Sequence, residues 1–226
     1  MKLPENVHDI PELRERIRVF RNRAHAGKVL AVMLGHLHKT DAVILAIPAG
    51  GVPVAAEMAR ILELPLDVAA VSKITFPWNT EAGFGAVAFD GTVRLNEEII
   101  AGTGLSEGEI RERTEATLAK VKRRVEEFRG SASFSALEGR PAVLVDDGLA
   151  SGVTVLAGIE ALRKCGVERA TVAVPTGAAN TVRRVARETD ELYCANIRSG
   201  FFAVAEAYGR WSDVTEEEVK QLLKRE

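Results

Sequence analysis

Ala142-Val-Leu-Val-Asp146-Asp147-Gly148-Leu149-Ala150-Ser151-Gly152-Val153-Thr154 is the stretch on which the reading of this chain turns. Its apolar opening reads as a buried strand over Val143 to Asp147. Two adjacent carboxylates close that strand. A loop of small residues follows, and then a helix from Thr154 to Lys164, with Gly166 as a plausible stop. Gly152 lets the backbone approach a bound group closely. Ser151 and Thr154 offer hydroxyls, and the helix start offers free N–H groups and partial positive charge. Together these make a phosphate cradle. Ionised carboxylates only accept hydrogen bonds, so the acidic pair suits a molecule carrying hydroxyls beside a phosphate. A phosphorylated ribose is such a molecule. The plainer reading is that Asp146 and Asp147 cap the helix, since Asp-Asp-Gly is also ordinary turn chemistry. The full strand–loop–helix context favours the ligand site.

Working outward, strands alternate with helices. Ala42 to Ile47 is a short apolar run read as a buried strand, ended by Pro48-Ala-Gly-Gly51. Pro53 suits a first helical position, with Val54, Ala55, Met58, Ala59 and Leu62 at helical spacing. Asp67 to Ser72 is a further strand. Ile74 to Gly91 is weakly periodic and reads as a long loop or loose hairpin, a length often tied to function. Ser106 and Glu109 form a capping box, stapled by Leu105 and Ile110, at the start of a long charged helix to Phe128. Gly130 to Ser135 reads as a linker. Thr171 to Pro175 and Leu192 to Ile197 are strands around a helix from Asn180 to Arg187. Thr215 and Glu218 box the last helix. Leu13, Ile17, Phe20 and Ala24 predict a first helix within residues 9–38, with Gly27 as a break or kink.

This order implies one α/β domain over residues 1–226. A mostly parallel sheet carries helices on both faces, with a flexible loop and lid helix over 74–130 and a small C-terminal hood over 197–226. Ligands of such folds bind beyond the carboxyl ends of the strands, at the switch point. The sharpest strand-to-helix junctions are Pro48–Gly51 and Asp146–Thr154.

Composition narrows the function classes. The 226 residues are 46% hydrophobic and 27% charged, with 30 basic and 32 acidic residues and a net charge of -2. That is an ordinary globular balance without the basic excess of a nucleic-acid binder. The longest uncharged run, Ala42 to Ala56, is broken by Pro48, Gly50, Gly51 and Pro53 and falls short of the ~18 apolar residues of a membrane span. The polar start of the chain lacks a signal-peptide core. A cytoplasmic protein is expected. Cys165 and Cys194 make neither a disulfide framework nor a zinc pattern, and read as small buried hydrophobes.

The Asp146 segment resembles the signature for phosphoribosyl pyrophosphate in the type I phosphoribosyltransferases, with Ser151 in place of the commoner Thr. Leu45-Ala-Ile-Pro-Ala-Gly-Gly-Val-Pro-Val-Ala-Ala56 resembles the family's pyrophosphate loop. Val71-Ser-Lys73-Ile resembles the segment leading into its catalytic loop. Phe202-Ala-Val and Tyr208 to Val219 resemble the tail of one branch, so similarity spans most of residues 14–219. The resemblance implies that Asp146 and Asp147 hold the ribose hydroxyls and, through waters, Mg²⁺. It implies that Gly148, Leu149 and the run Ala150, Ser151, Gly152, Val153 and Thr154 serve the phosphoribosyl group, the run from Ala150 taking the 5-phosphate. Ala49, Gly50 and Gly51 would face pyrophosphate, and a homodimer is expected. The reaction implied is transfer of the 5-phosphoribosyl group to a small nitrogenous base. A non-catalytic regulator on the same fold, or a hydrolase with water as acceptor, stays open. Two departures stand out. Ala49 replaces an arginine common in that branch. Ala150 replaces the aspartate that serves as base in 6-oxopurine enzymes, and adenine-type members share that alanine.

Lys73 could neutralise departing pyrophosphate, or be a solvated strand-end lysine. Glu81 could act as acid or base once the loop closes, although loop carboxylates are usually just solvated. Phe202, Tyr208 and Trp211, with Phe201, are candidates for stacking on a base, or for core and dimer contacts. Arg111, Arg113, Lys120, Lys122, Arg123, Arg124 and Arg129 read as a solvated, salt-bridged face. His8, His25, His36 and His38 share no ligand pattern. Gly83-Phe-Gly85 and Gly102-Thr-Gly104 lack the dinucleotide fingerprint.

Overall fold

The computed structural model describes residues 2–131 and 133–224, apart from the side chains of Thr80 and Glu81. Its centre is a six-stranded sheet built from β1 (Val7–His8), β2 (Val43–Ala46), β3 (Leu66–Val68), β7 (Pro141–Val145), β8 (Arg169–Ala178) and β9 (Glu191–Arg198). The strand order is β1-β9-β8-β7-β2-β3, and every pair is parallel.

The central strands read as continuous apolar runs because both faces are covered. On β2, Val43 and Leu45 enter one core cluster while Ile44 and Ala46 enter the other. On β7, Ala142 and Leu144 divide from Val143 and Val145 in the same way. A strand's period of two thus feeds two cores at once. One face carries α1 (Arg23–Met33), α2 (Gly51–Leu62) and α7 (Glu216–Leu223). The other carries α5 (Val153–Lys164), α6 (Ala179–Ala186) and a second, antiparallel sheet.

That second sheet decides between the two readings of 74–91, in favour of the hairpin and against the long loop. It consists of β4 (Ser72–Phe76), β5 (Asn79–Val87) and β6 (Val93–Leu95). Ile74, Phe76, Phe84 and Ala86 are buried, beneath Val121 and Val125 of α4 (Glu107–Arg129). The alternation was hard to see because glycines occupy positions 83 and 85 and the register shifts around Thr75. A short α3 (Glu97–Ala101) links this sheet to α4.

The predicted helix over 9–38 shrinks to α1, Arg23–Met33. Residues before it form an irregular strap with positive φ at Glu15 (58°) and Arg18 (54°). Long-range partners outcompete helix there. The buried Asn196 amide donates to the carbonyls of Leu13 and Arg16, and Ser199 N–H donates to the Glu15 carboxylate at 2.8 Å. Asn22 then caps α1 by accepting from His25 N–H at 2.9 Å. Gly27 does not kink the helix. A Cβ there would lie 2.4 Å from the Val54 carbonyl oxygen, so the glycine lets α1 and α2 cross closely.

Both capping boxes form as read, Ser106 with Glu109 on α4 and Thr215 with Glu218 on α7. On α4 only Val121 and Val125 are buried, and Arg124 and Arg129 pair with Glu216 and Asp67. No helix among the described residues is long and apolar enough to cross a membrane.

Candidate functional site

β2 and β7 are neighbours, with Ala46 opposite Val145, but their helices lead opposite ways. The β2–α2–β3 unit winds toward one sheet edge and β7–α5–β8 toward the other. The switch point therefore lies between these two strands, and both loops leave it side by side.

Contact between the loops is intimate. A Cβ at Gly50 would lie 2.0 Å from Asp147 Oδ2 and 2.6 Å from its Cγ. Only glycine lets the Asp147 carboxylate lean against that loop. Asp147 N–H donates to Asp146 Oδ1 at 2.8 Å. Ala49 and Gly50 are half-buried, and Gly51 is buried as the first residue of α2.

The rest of the signature is anchored from below. Leu149 is buried and bridges Gly177, with its N–H on the Thr176 carbonyl at 2.8 Å and its carbonyl accepting from Ala178 at 3.0 Å. Its backbone groups are thus taken up by β8. Val204 of the tail presses on Gly148, where a Cβ would meet it at 2.5 Å. Thr181 Oγ1 donates to the Ala150 carbonyl at 2.6 Å, and Arg184 donates to that of Ser151. Ala150 and Ser151 are exposed, Val153 and Thr154 half-buried, and Gly152 is buried with φ 72°. No described side chain caps α5. The N–H groups of its first turn are left for another acceptor.

Burial, and then the charge of Asp147, push the Asp146 carboxyl well above the usual carboxylate range. The Asp147 N–H and the charges of Arg23 and Lys73 oppose that rise. Asp147 is raised by burial and held back by Arg23. Lys73, half-buried on β4, therefore acts electrostatically on Asp146. Glu81 lies on β5, and its side chain is outside the described residues.

The tail meets the site in an unforeseen way. Tyr208 is buried, and its hydroxyl donates to the Asp147 carbonyl at 2.6 Å. Its ring packs against Phe20 and Trp211. Trp211 in turn carries the Arg23 guanidinium 3.7 Å above its ring. Phe202 is 92% exposed and packs on nothing comparable. Of the three aromatic candidates it is the most exposed, while Trp211 is 40% exposed and lies against Arg23.

Arg23 is the residue that sequence reasoning misses. Its Nε donates to Asp147 Oδ2 at 2.9 Å and its Nη1 to the Ser212 carbonyl at 2.7 Å. The available signal was its position. A cation at the first residue of a helix opposes the helix dipole and asks for a carboxylate nearby.

Cavities flank the loop pair. One of about 820 Å³ opens between Arg23, Pro53, Trp211, Asp213 and Gln221. Another of about 510 Å³ lies beside Ser151 and Val153 and reaches Arg94, Thr181 and Arg184. Among the described residues no group of three or more His, Cys, Asp or Glu could hold a metal.

Known proteins resemble this chain in sequence and fold. The chain matches the model of the phosphoribosyl transferase domain over residues 21–208. A Mycobacterium tuberculosis protein, named as a candidate phosphoribosyl transferase, is 37% identical over 209 residues, covering 92% of this chain and 47% of that protein. The chain thus spans about half the length of the curated relatives it matches. The crystal structure of TT1426 from Thermus thermophilus superposes with a TM-score of 0.74 at 33% identity, covering 92% of this chain and 98% of that one. The switch-point loops, the acidic pair and these matches agree, and the chain belongs to the phosphoribosyl transferase domain family.

Proposed function

We propose that this chain transfers the 5-phosphoribosyl group from phosphoribosyl pyrophosphate to a small nitrogenous base and releases pyrophosphate. The observation that carries this reading is the Asp147 carboxylate resting on the Gly50 loop, beside the uncapped start of α5. A donor with phosphate at one end, hydroxyls in the middle and pyrophosphate at the other matches that sequence of surfaces.

The 5-phosphate would accept hydrogen bonds from the first turn of α5 and from Ser151, with Arg184 close by. Asp146 and Asp147 would accept from the ribose hydroxyls and fix the sugar's orientation. The glycine loop would turn its backbone N–H groups to pyrophosphate. The bond from the anomeric carbon to the pyrophosphate oxygen breaks, and a bond to the acceptor nitrogen forms on the opposite face. Pyrophosphate leaves with the electron pair, and the acceptor gives up a proton. Positioning and charge neutralisation dominate such a step. Asp146 and Asp147 would hold Mg²⁺ through its waters, and the ion would supply charge neutralisation when bound. Two carboxylates fit an ion that keeps most of its waters. Lys73 would neutralise charge on the departing group, with Glu81 as acid or base. Phe202 supports stacking on the acceptor, through its exposed ring.

A second reading, a binder of the donor or of a nucleotide that regulates a partner, rests on Ala49, which gives the glycine loop no cation of its own. One assay separates the readings. The protein is incubated with donor, Mg²⁺ and a panel of bases, and pyrophosphate release is followed. Base-dependent release is expected. Base-independent release would indicate hydrolysis, and tight binding without release would indicate the regulator. Failure to bind any phosphoribosyl compound would end the proposal.

A further inference from the structure

Arg23 belongs to neither loop of the switch point, yet one carboxylate oxygen joins it to both. Asp147 Oδ2 accepts from Arg23 Nε at 2.9 Å and would sit 2.0 Å from a Cβ at Gly50. The guanidinium is therefore next to the glycine loop, whose residues Pro48, Ala49, Gly50 and Gly51 carry no charge. The side chain is only 10% exposed.

Its donors are divided. Nη1 holds the Ser212 carbonyl on the tail side. Nε shares its edge of the planar group with Nη2, the edge used for side-on pairing with carboxylates and phosphates. Nη2 has no hydrogen-bond partner among the described residues. Trp211 stacked at 3.7 Å and Ser212 hold the plane in place, so little rotamer freedom remains to be lost on binding. A tail anchor alone would need the Nη1 bond and the stack. It would not need the open edge turned toward Asp147.

Electrostatics point the same way. Two partly buried carboxylates beside an anion-binding loop would repel a polyanion. Arg23 acts on both carboxylates, and Lys73 adds a second cation at Asp146.

We propose that Arg23 is the pyrophosphate-binding cation of this site, delivered from the start of α1 in place of a basic side chain at Ala49. The proposal rests on the reading that the glycine loop receives pyrophosphate.

The test is calorimetric titration of the full chain with Mg²⁺-pyrophosphate and, separately, with ribose 5-phosphate. Four proteins are compared: the parent, Arg23→Gln, Arg23→Lys, and Arg23→Gln combined with Ala49→Arg. Arg23→Gln is expected to weaken pyrophosphate binding roughly 10- to 100-fold, the scale of a lost charge-assisted contact. Ribose 5-phosphate affinity should fall less than pyrophosphate affinity, because Arg23 reaches the sugar only through Asp147. Arg23→Lys should fall between parent and glutamine, and Ala49→Arg should restore much of the loss. Melting curves check that each variant is folded, and Arg23→Lys carries the test if the glutamine variant is not. Unchanged pyrophosphate affinity in the Arg23 variants overturns the proposal. So does an equal loss of both ligands that Ala49→Arg fails to rescue, which would make Arg23 a tail anchor. A parent that binds ribose 5-phosphate but not pyrophosphate also overturns it while leaving the phosphoribose site standing. A parent that binds neither refutes the proposed function itself.

Discussion

Asp146 is expensive to the fold in its charged form. Burial and the neighbouring Asp147 raise its carboxyl well above the usual range. A carboxyl raised on folding favours the folded state below its ordinary range, near pH 4, and that contribution is lost as pH rises through the raised value. Asp146→Asn should therefore melt higher than the parent at neutral pH. The gain should shrink to nothing as pH falls below about 4, where both side chains are neutral. Melting curves across that range check this, and a gain that persists in acid would contradict the burial argument. Gly50 is the complementary case. In Gly50→Ala the new methyl group must displace the Asp147 carboxylate or the loop. Donor affinity should fall, because the displaced carboxylate no longer meets the ribose hydroxyls, while the melting temperature changes little because the atoms that give way are a side-chain end. A binding isotherm for that variant matching the parent's would mean the two loops do not form one site. At this scale the sequence was most legible. The acidic pair, the glycines and the hydroxyls lie within short segments whose spacing can be read directly. Arg23 could not be read this way, because it is 124 positions from Asp147 and only the fold brings the two together.

The elements divide by how local their determinants are. The capping boxes of α4 and α7 need only four consecutive residues, and both form as read. The central strands carry their own signal in unbroken apolar runs. The strap before α1 does not, because Leu13, Ile17 and Phe20 are spaced as in a helix but their neighbours bond to β9 and the tail instead. The second sheet was obscured by its glycines and register shifts. Gly27 shows how an element's packing reaches the site. It allows the close α1–α2 crossing, and α1 begins with Arg23. Gly27→Ala would bring a methyl group to 2.4 Å from the Val54 carbonyl. Overpacking of this kind typically costs about 1–3 kcal/mol. Urea denaturation should show that loss, and pyrophosphate affinity should fall more than ribose 5-phosphate affinity. Parent-like stability would show that the two helices can separate freely.

Across the whole molecule, the sheet's change of winding direction makes the site. β2 and β7 deliver their loops to one crevice, while the strap and tail close over Asp147 through Tyr208, Trp211 and Arg23. The alternation of strands and helices foretold the parallel sheet and its switch point. It could not foretell that the C-terminal aromatics would buttress Asp147 from behind, since that depends on where the chain returns after β9. The central claim is that the acidic pair at this crevice holds phosphoribose. It is tested most directly by calorimetric titration of phosphoribosyl pyrophosphate with Mg²⁺ into the parent and into Asp146→Asn/Asp147→Asn. Saturable binding by the parent is expected, with none by a double variant that still melts cooperatively; equal affinity in the two proteins would rule out a phosphoribose site at the acidic pair.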